Sequence, residues 1–184
     1  WAGYEPLAIR TGNLRADENV YRVIGDLGIP MSSNIGLGVF QPKERLLRHE
    51  SGRHLIHGVM EIPVFSYQSS DFAGRPCKRV LQITSCSWPE MKHLLWKARK
   101  SGIENIVILT HPFEYVKKSD FQYTRLTRNR VNQSRLQKLC ACIQQHSQDF
   151  VSADFSSQHD AWVESELNQK SVEISSVYAV GRKL

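Results

Sequence analysis

Residues 79–112 decide the fold. They run Arg79-Val80-Leu81-Gln82-Ile83-Thr84, then Ser87-Trp88-Pro89-Glu90, and finally Ile106-Val107-Ile108-Leu109-Thr110-His111-Pro112. The first block reads as a strand. In the second, serine and glutamate stand three residues apart, the offset of a capping box that opens a helix. That helix buries Met91, Leu94, Leu95 and Ala98. Lys97, Arg99 and Lys100 fall in its last turn, where the helix dipole favours cations, and Gly102 ends it. Ile106 to Leu109 are four aliphatic residues, three of them β-branched, as in a strand buried on both faces of a parallel sheet. Strand, helix and strand form a βαβ unit, which requires parallel strands and a right-handed crossover.

The same grammar extends outward. Pro6 to Ile9 reads as a strand. A helix over 16–27 follows, with Asp17 and Glu18 in its first turn, Gly28 as its stop, and Val20, Val23, Ile24 and Leu27 on its buried face. Ile29 to Ile35 is a strand closed by Gly36-Leu37-Gly38. Residues 41–54 are a polar surface excursion, and Val59 to Phe65 is strand-like. The segment around Ser69, Ser70, Gly74 and Pro76 is rich in turn residues. Beyond residue 130 come a helix over 131–147 burying Leu136, Leu139, Cys140 and Ile143, a short strand Phe150–Ala153, and a helix Ser156–Leu167. Val172 to Val180 is apolar enough to be ordered, without an assigned type. The alternation predicts an α/β architecture, either an open sheet or a segment of a barrel.

Two side chains leave the C-terminal ends of predicted strands. These are Arg10, in Ile9-Arg10-Thr11-Gly12-Asn13, and His111, in Leu109-Thr110-His111-Pro112-Phe113-Glu114. In open α/β sheets and barrels that rim is where ligands bind. If the strands are parallel, both residues line one cleft. An arginine there can hold a carboxylate by a bidentate pair, or it can serve a structural salt bridge. A histidine there can move protons near neutral pH, or it can simply cap a strand end.

The chain has 184 residues and a formal net charge of +6, which suits one domain with a real core. No apolar run reaches the length of a membrane span. The chain begins Trp1-Ala2-Gly3 without a methionine, which suggests a processed chain or part of something longer. The sequence assigns no compartment. Cys77, Cys86, Cys140 and Cys142 contain no C-x-x-C. Cys140 and Cys142, two apart on a helix, point to different faces, so free and mostly buried thiols are expected rather than a zinc site. Residues 112–135 carry Lys117, Lys118, Arg125, Arg128, Arg130 and Arg135 against Glu114 and Asp120, interleaved with Phe113, Tyr115, Phe121 and Tyr123. Such a loop can bind nucleic acid or an anionic polymer, or stack on sugar rings. A solvated loop whose aromatics pack down on the domain is the preferred reading.

The arginine motif and the Leu-x-His motif, in this order and about a hundred residues apart, resemble the polysaccharide deacetylases, carbohydrate esterase family four. The resemblance covers roughly residues 5–155, the C-terminal two-thirds of such a catalytic domain, and leaves 155–184 as a C-terminal extension. It implies part of a distorted (β/α) barrel. It also implies a hydrolase that removes N-acetyl groups from a polysaccharide or glycan precursor using a divalent metal, most often zinc. On this match His111 is the general acid, Arg10 orients the base, and Trp88, Phe113 and Tyr115 contact the glycan. The family's metal ligands lie in an Asp-Asp motif and a His-x-x-x-His-Pro motif. This chain has no adjacent Asp-Asp pair, and none of its seven histidines are four apart. It is therefore expected to bind no catalytic metal by itself: the ligands lie in sequence preceding Trp1, or they do not exist. The competing readings are a non-catalytic carbohydrate-binding or assembly protein of the same fold and, less favoured, a nucleic-acid binder using the basic loop.

Overall fold

The computed structural model describes residues 3, 5–71, 73–122 and 124–182. Tyr123 and the Trp1-Ala2 start therefore lie outside the described residues. The fold is mixed α/β, with parallel strands in one sheet and helices packed against them. β1 (Ala8–Ile9), β2 (Met31–Ser32) and β4 (Val59–Glu61) pair in parallel, with Ala8 opposite Met31 and Met31 opposite Met60. β3 (His54–Ile56) adds an antiparallel edge beside β4. The parallel run continues through single bridges, Val64 with Val107 and Gln82 with Leu109. The segment leading to His111, expected as a full strand, is held only by these two single bridges, and both run parallel to their neighbours. Its two faces enter different clusters. Ile106 and Ile108 pack on the cluster of Phe65, Leu81, Met91 and Leu94, whereas Leu109 and Val107 join Leu14, Val64 and Val80.

α2 (Trp88–Lys100) buries the face its sequence predicts, but only half of the expected capping box forms, because the Glu90 carboxylate accepts from Tyr67 and Arg182 instead. Ser87 Oγ accepts from the Glu90 N–H, and Met91, Leu94, Leu95 and Ala98 face the core. Each such apolar side chain contributes about 1.5–3 kcal/mol. α1 (Glu18–Asp26) begins with Asp17 accepting from the Val20 N–H at 3.0 Å, and Gly28 closes it with φ +70°. Its buried face differs from the expected one. Tyr21 and Ile24 are buried, while Val23 and Leu27 are exposed. The 3.6-residue stripe runs through a tyrosine that a purely aliphatic count passes over.

Four expected elements differ. The turn-rich segment is the tip of an antiparallel hairpin, β5 (Ser66–Ser70) with β6 (Pro76–Val80). The basic loop contains a second, exposed hairpin, β7 (Val116–Lys118) with β8 (Leu126–Arg128). Phe150–Ala153 forms no strand, and the helix expected over 156–167 shrinks to α4 (His159–Val163). α3 (Arg130–Gln145) buries Asn132, Arg135, Leu139 and Cys142. Leu136 and Ile143 are only half-buried, and Cys140 is exposed while Cys142 is buried, so the two thiols do face different ways. The chain beyond residue 163 is tied down by hydrogen bonds. Arg53 and Leu167 exchange backbone bonds at 2.8 and 2.9 Å, and Arg182 reaches the buried Glu90 carboxylate at 2.6 Å. Among the described residues no helix is long and apolar enough to cross a membrane.

The corrected face of α1 can be measured. Ile24→Ala should lower stability by about 2–5 kcal/mol, and Val23→Ala should change it by less than about 0.5 kcal/mol. Urea unfolding of the two variants checks this, and equal losses would mean that the helix is rotated.

Candidate functional site

Arg10 follows β1 directly, and His111 follows the strand that ends at Leu109. Because the strands are parallel, both emerge at the same end. They line one cavity of about 340 Å³, together with Thr11, Asn13, Gln82 and Leu109. Asn13 and Leu14 both adopt left-handed backbone, φ 56° and 52°. For a leucine that costs about 1–2 kcal/mol, and Leu14 is held there by burial in the core. The wall of the cleft is thus a strained turn fixed by packing.

His111 is anchored from below. Its Nδ1 lies 3.1 Å from Glu114 Oε1, and its backbone N–H donates to Glu114 Oε2 at 3.0 Å. A carboxylate can only accept, so the Nδ1 nitrogen carries the proton and Nε2 is left for other work. Glu114 is held in turn by Gln82 Nε2 at 2.8 Å and more loosely by the Thr84 and Thr110 hydroxyls at 3.3 Å. Its backbone carbonyl accepts from Asn129 and Asn132 at the start of α3. The glutamate is nearly buried while the imidazole is about half exposed. Burial acts to raise the Glu114 pKa, but the hydrogen bonds from His111 and Gln82 and the charge of His111 outweigh it. The carboxyl is held below the ordinary range. Sequence reading counted Glu114 only as a charge in a basic loop. The signal was its place three residues after His111 with Pro112 between, the spacing of a capping box at a short helical turn.

Arg10 is also held, though not by a carboxylate. Its Nε donates to the Ser33 carbonyl at 2.9 Å and its Nη2 to Ser33 Oγ at 2.7 Å. The neighbouring Thr11 N–H donates to Asn34 Oδ1 at 2.7 Å. Thr11 Oγ1 is buried without a hydrogen-bond partner, a free polar group on a residue that lines the cleft. Behind Ser33 and Asn34 stands Glu61, fully buried. It accepts from the Asn34 and Ile35 N–H groups at 2.9 Å and from the Ser32 hydroxyl. Burial pushes the Glu61 carboxyl up, and these donors oppose the shift. Sequence reading passed over Glu61 as part of an apolar strand, although a lone acid in such a run is a signal in itself.

The other predicted site residues fall as follows. Phe113 stacks on His111, with ring centroids 5.1 Å apart and planes 19° apart, and its outer face is exposed. Tyr115 packs against the core, and its hydroxyl meets Thr110 Oγ1 at 2.5 Å. Trp88 lies outside this cleft and lines a different cavity at the start of α2. Phe121 is exposed, so of the loop aromatics Tyr115 packs down and Phe113 and Phe121 do not. Among the described residues no group of three or more His, Cys, Asp or Glu is arranged to hold a metal. The cleft does not fit one either, because the Nδ1 of His111 and both oxygens of Glu114 are already engaged. No protein-family model, curated protein or solved structure matches the chain.

A carboxyl whose folded pKa is depressed adds stability above its unfolded pKa and loses it as pH falls through the folded value. Glu114→Gln should therefore lose less stability than the parent between about pH 5 and pH 3. Urea midpoints at both pH values measure the difference, and parallel losses would contradict the anchoring of Glu114 by His111.

Proposed function

We propose that this chain carries the proton-transfer half of a carbohydrate de-N-acetylase, a hydrolase acting on N-acetyl groups of a glycan. The observation that supports it best is the Glu114–His111 pair facing the same cleft as Arg10. Glu114 holds the His111 ring through Nδ1, which leaves Nε2 for a substrate. As the acetamide C–N bond breaks, Nε2–H delivers its proton to the leaving amine nitrogen, while water supplies the oxygen of the acetate. Proton donation to a leaving amine is a common role of a positioned imidazole, and the carboxylate of Glu114 fixes the position of this one. Phe113 offers an exposed apolar ring beside the acid for a sugar face. Arg10 contributes positive charge at the opposite wall, fixed by Ser33. The parallel strands, on this reading, are one arc of a distorted (β/α) barrel. The divalent metal, zinc for preference, that the family resemblance implies has no donor set in this cleft. On this reading it belongs to residues outside the chain, and no step is assigned to it here.

The test uses the full-length protein with N-acetylated chitooligosaccharides and measures acetate release. His111→Ala should lower turnover about 10²–10⁴-fold with little change in KM. Glu114→Gln should lower turnover by a smaller factor, again with little change in KM, because it loosens the anchor that orients the His111 ring. Normal turnover in a folded His111→Ala protein would refute the assignment. Glycan binding without turnover in the parent would favour the carbohydrate-binding alternative instead.

A further inference from the structure

A second cavity, of about 470 Å³, lies where the starts of α2 and α3 converge, and it shares no lining residue with the Arg10–His111 cleft. Its walls are Trp88 and Pro89 from α2, and Arg130, Ser134, Arg135 and Lys138 from α3. No aspartate or glutamate lines it. Arg130 and Lys138 make no hydrogen bond or ion pair among the described residues, and both are exposed. Arg135 is the more telling residue. It is only 7 % exposed, and its Nη1 donates to the Ile83 and Thr84 carbonyls at 3.3 and 2.8 Å. Among the described residues it has no carboxylate partner. Buried cations are ordinarily neutralised by a counter-charge, and two carbonyl dipoles do not supply one.

α2 keeps Lys97, Arg99 and Lys100 in its last turn, where the dipole welcomes them. α3 does the reverse at its start, with Arg130 at its first position and no acid in its first turn. Arg135 and Lys138 lie further along α3, beyond the dipole's reach, and complete a wall of three like charges on this cavity. Uncompensated like charges cost stability, and local rules are broken in this way mainly where a ligand restores the balance.

We infer that this cavity binds a nucleoside phosphate, with the phosphoryl oxygens on Arg130, Arg135 and Lys138 and the base on the indole of Trp88. Planar guanidinium groups and helix N-termini suit a doubly charged tetrahedral oxyanion. Trp88 packs its inner side on the core and lines the cavity, a flat apolar platform next to the charges. The volume matches a small molecule, and the three cations are grouped round one ring rather than strung out along a polymer track. This inference is independent of the deacetylase reading and survives its failure.

Calorimetric titration of the chain with ADP, UDP, inorganic phosphate, adenosine and a single-stranded oligonucleotide tests it. The nucleoside diphosphates should bind one to one, phosphate more weakly, and adenosine not at all. The double variant Arg130→Gln, Lys138→Gln changes two exposed positions and should keep the fold while weakening the nucleotide by roughly tenfold or more. Trp88→Ala should weaken the nucleotide but leave phosphate unchanged. The inference is overturned if neither ADP nor UDP binds below about 1 mM, if the double variant binds as the parent does, or if only the oligonucleotide binds.

Discussion

The carboxylate of Glu61 is the constraint on which the cleft depends. It is fully buried, so it is tolerable only if its lone pairs are met inside the protein. Three donors come from the end of β2 and the residues just after it: the Ser32 hydroxyl and the backbone N–H groups of Asn34 and Ile35. Those N–H groups are thereby turned away from the ladder toward the acid, and the segment takes a fixed path. Its outer side then supplies what the cleft wall needs. Ser33 receives both arms of the Arg10 guanidinium, and Asn34 receives the Thr11 N–H. A side chain on β4 thus positions the cleft residues that follow β1 through the segment that follows β2.

The opposite wall is built locally. His111 and Glu114 lie three residues apart, and one short helical turn after Pro112 closes the contact. Gln82 joins from the neighbouring parallel strand and ties this local pair into the sheet. The two walls therefore differ in kind: one rests on non-local packing, the other on a turn.

That difference explains what the sequence made legible. The βαβ unit could be read because capping, periodicity and β-branching all agree across residues 79–109. The common rim of Arg10 and His111 followed from strand direction alone. The hairpin β5–β6 was hidden because Ser66 to Ser70 carries little apolar alternation; its pairing is long-range and set by partners. The true face of α1 was missed because Tyr21 carries a polar atom yet is wholly buried. Arg10 could be read as a fork but not assigned its partner, since Ser33 is reached only through the strand pairing that Glu61 fixes. Phe150 to Ala153 misled because four residues with two apolar members do not distinguish a strand from an extended surface segment.

The role of Glu61 is most directly tested by amide hydrogen exchange at Asn34 and Ile35. In the parent protein both amides should be strongly protected. Glu61→Gln, whose amide oxygen can still accept from both N–H groups, should keep most of that protection. Glu61→Ala should release both amides, and Ser33 with them, while α2 remains protected. If Asn34 and Ile35 exchange freely in the parent, or stay protected in a folded Glu61→Ala protein, the buried carboxylate does not organise the cleft.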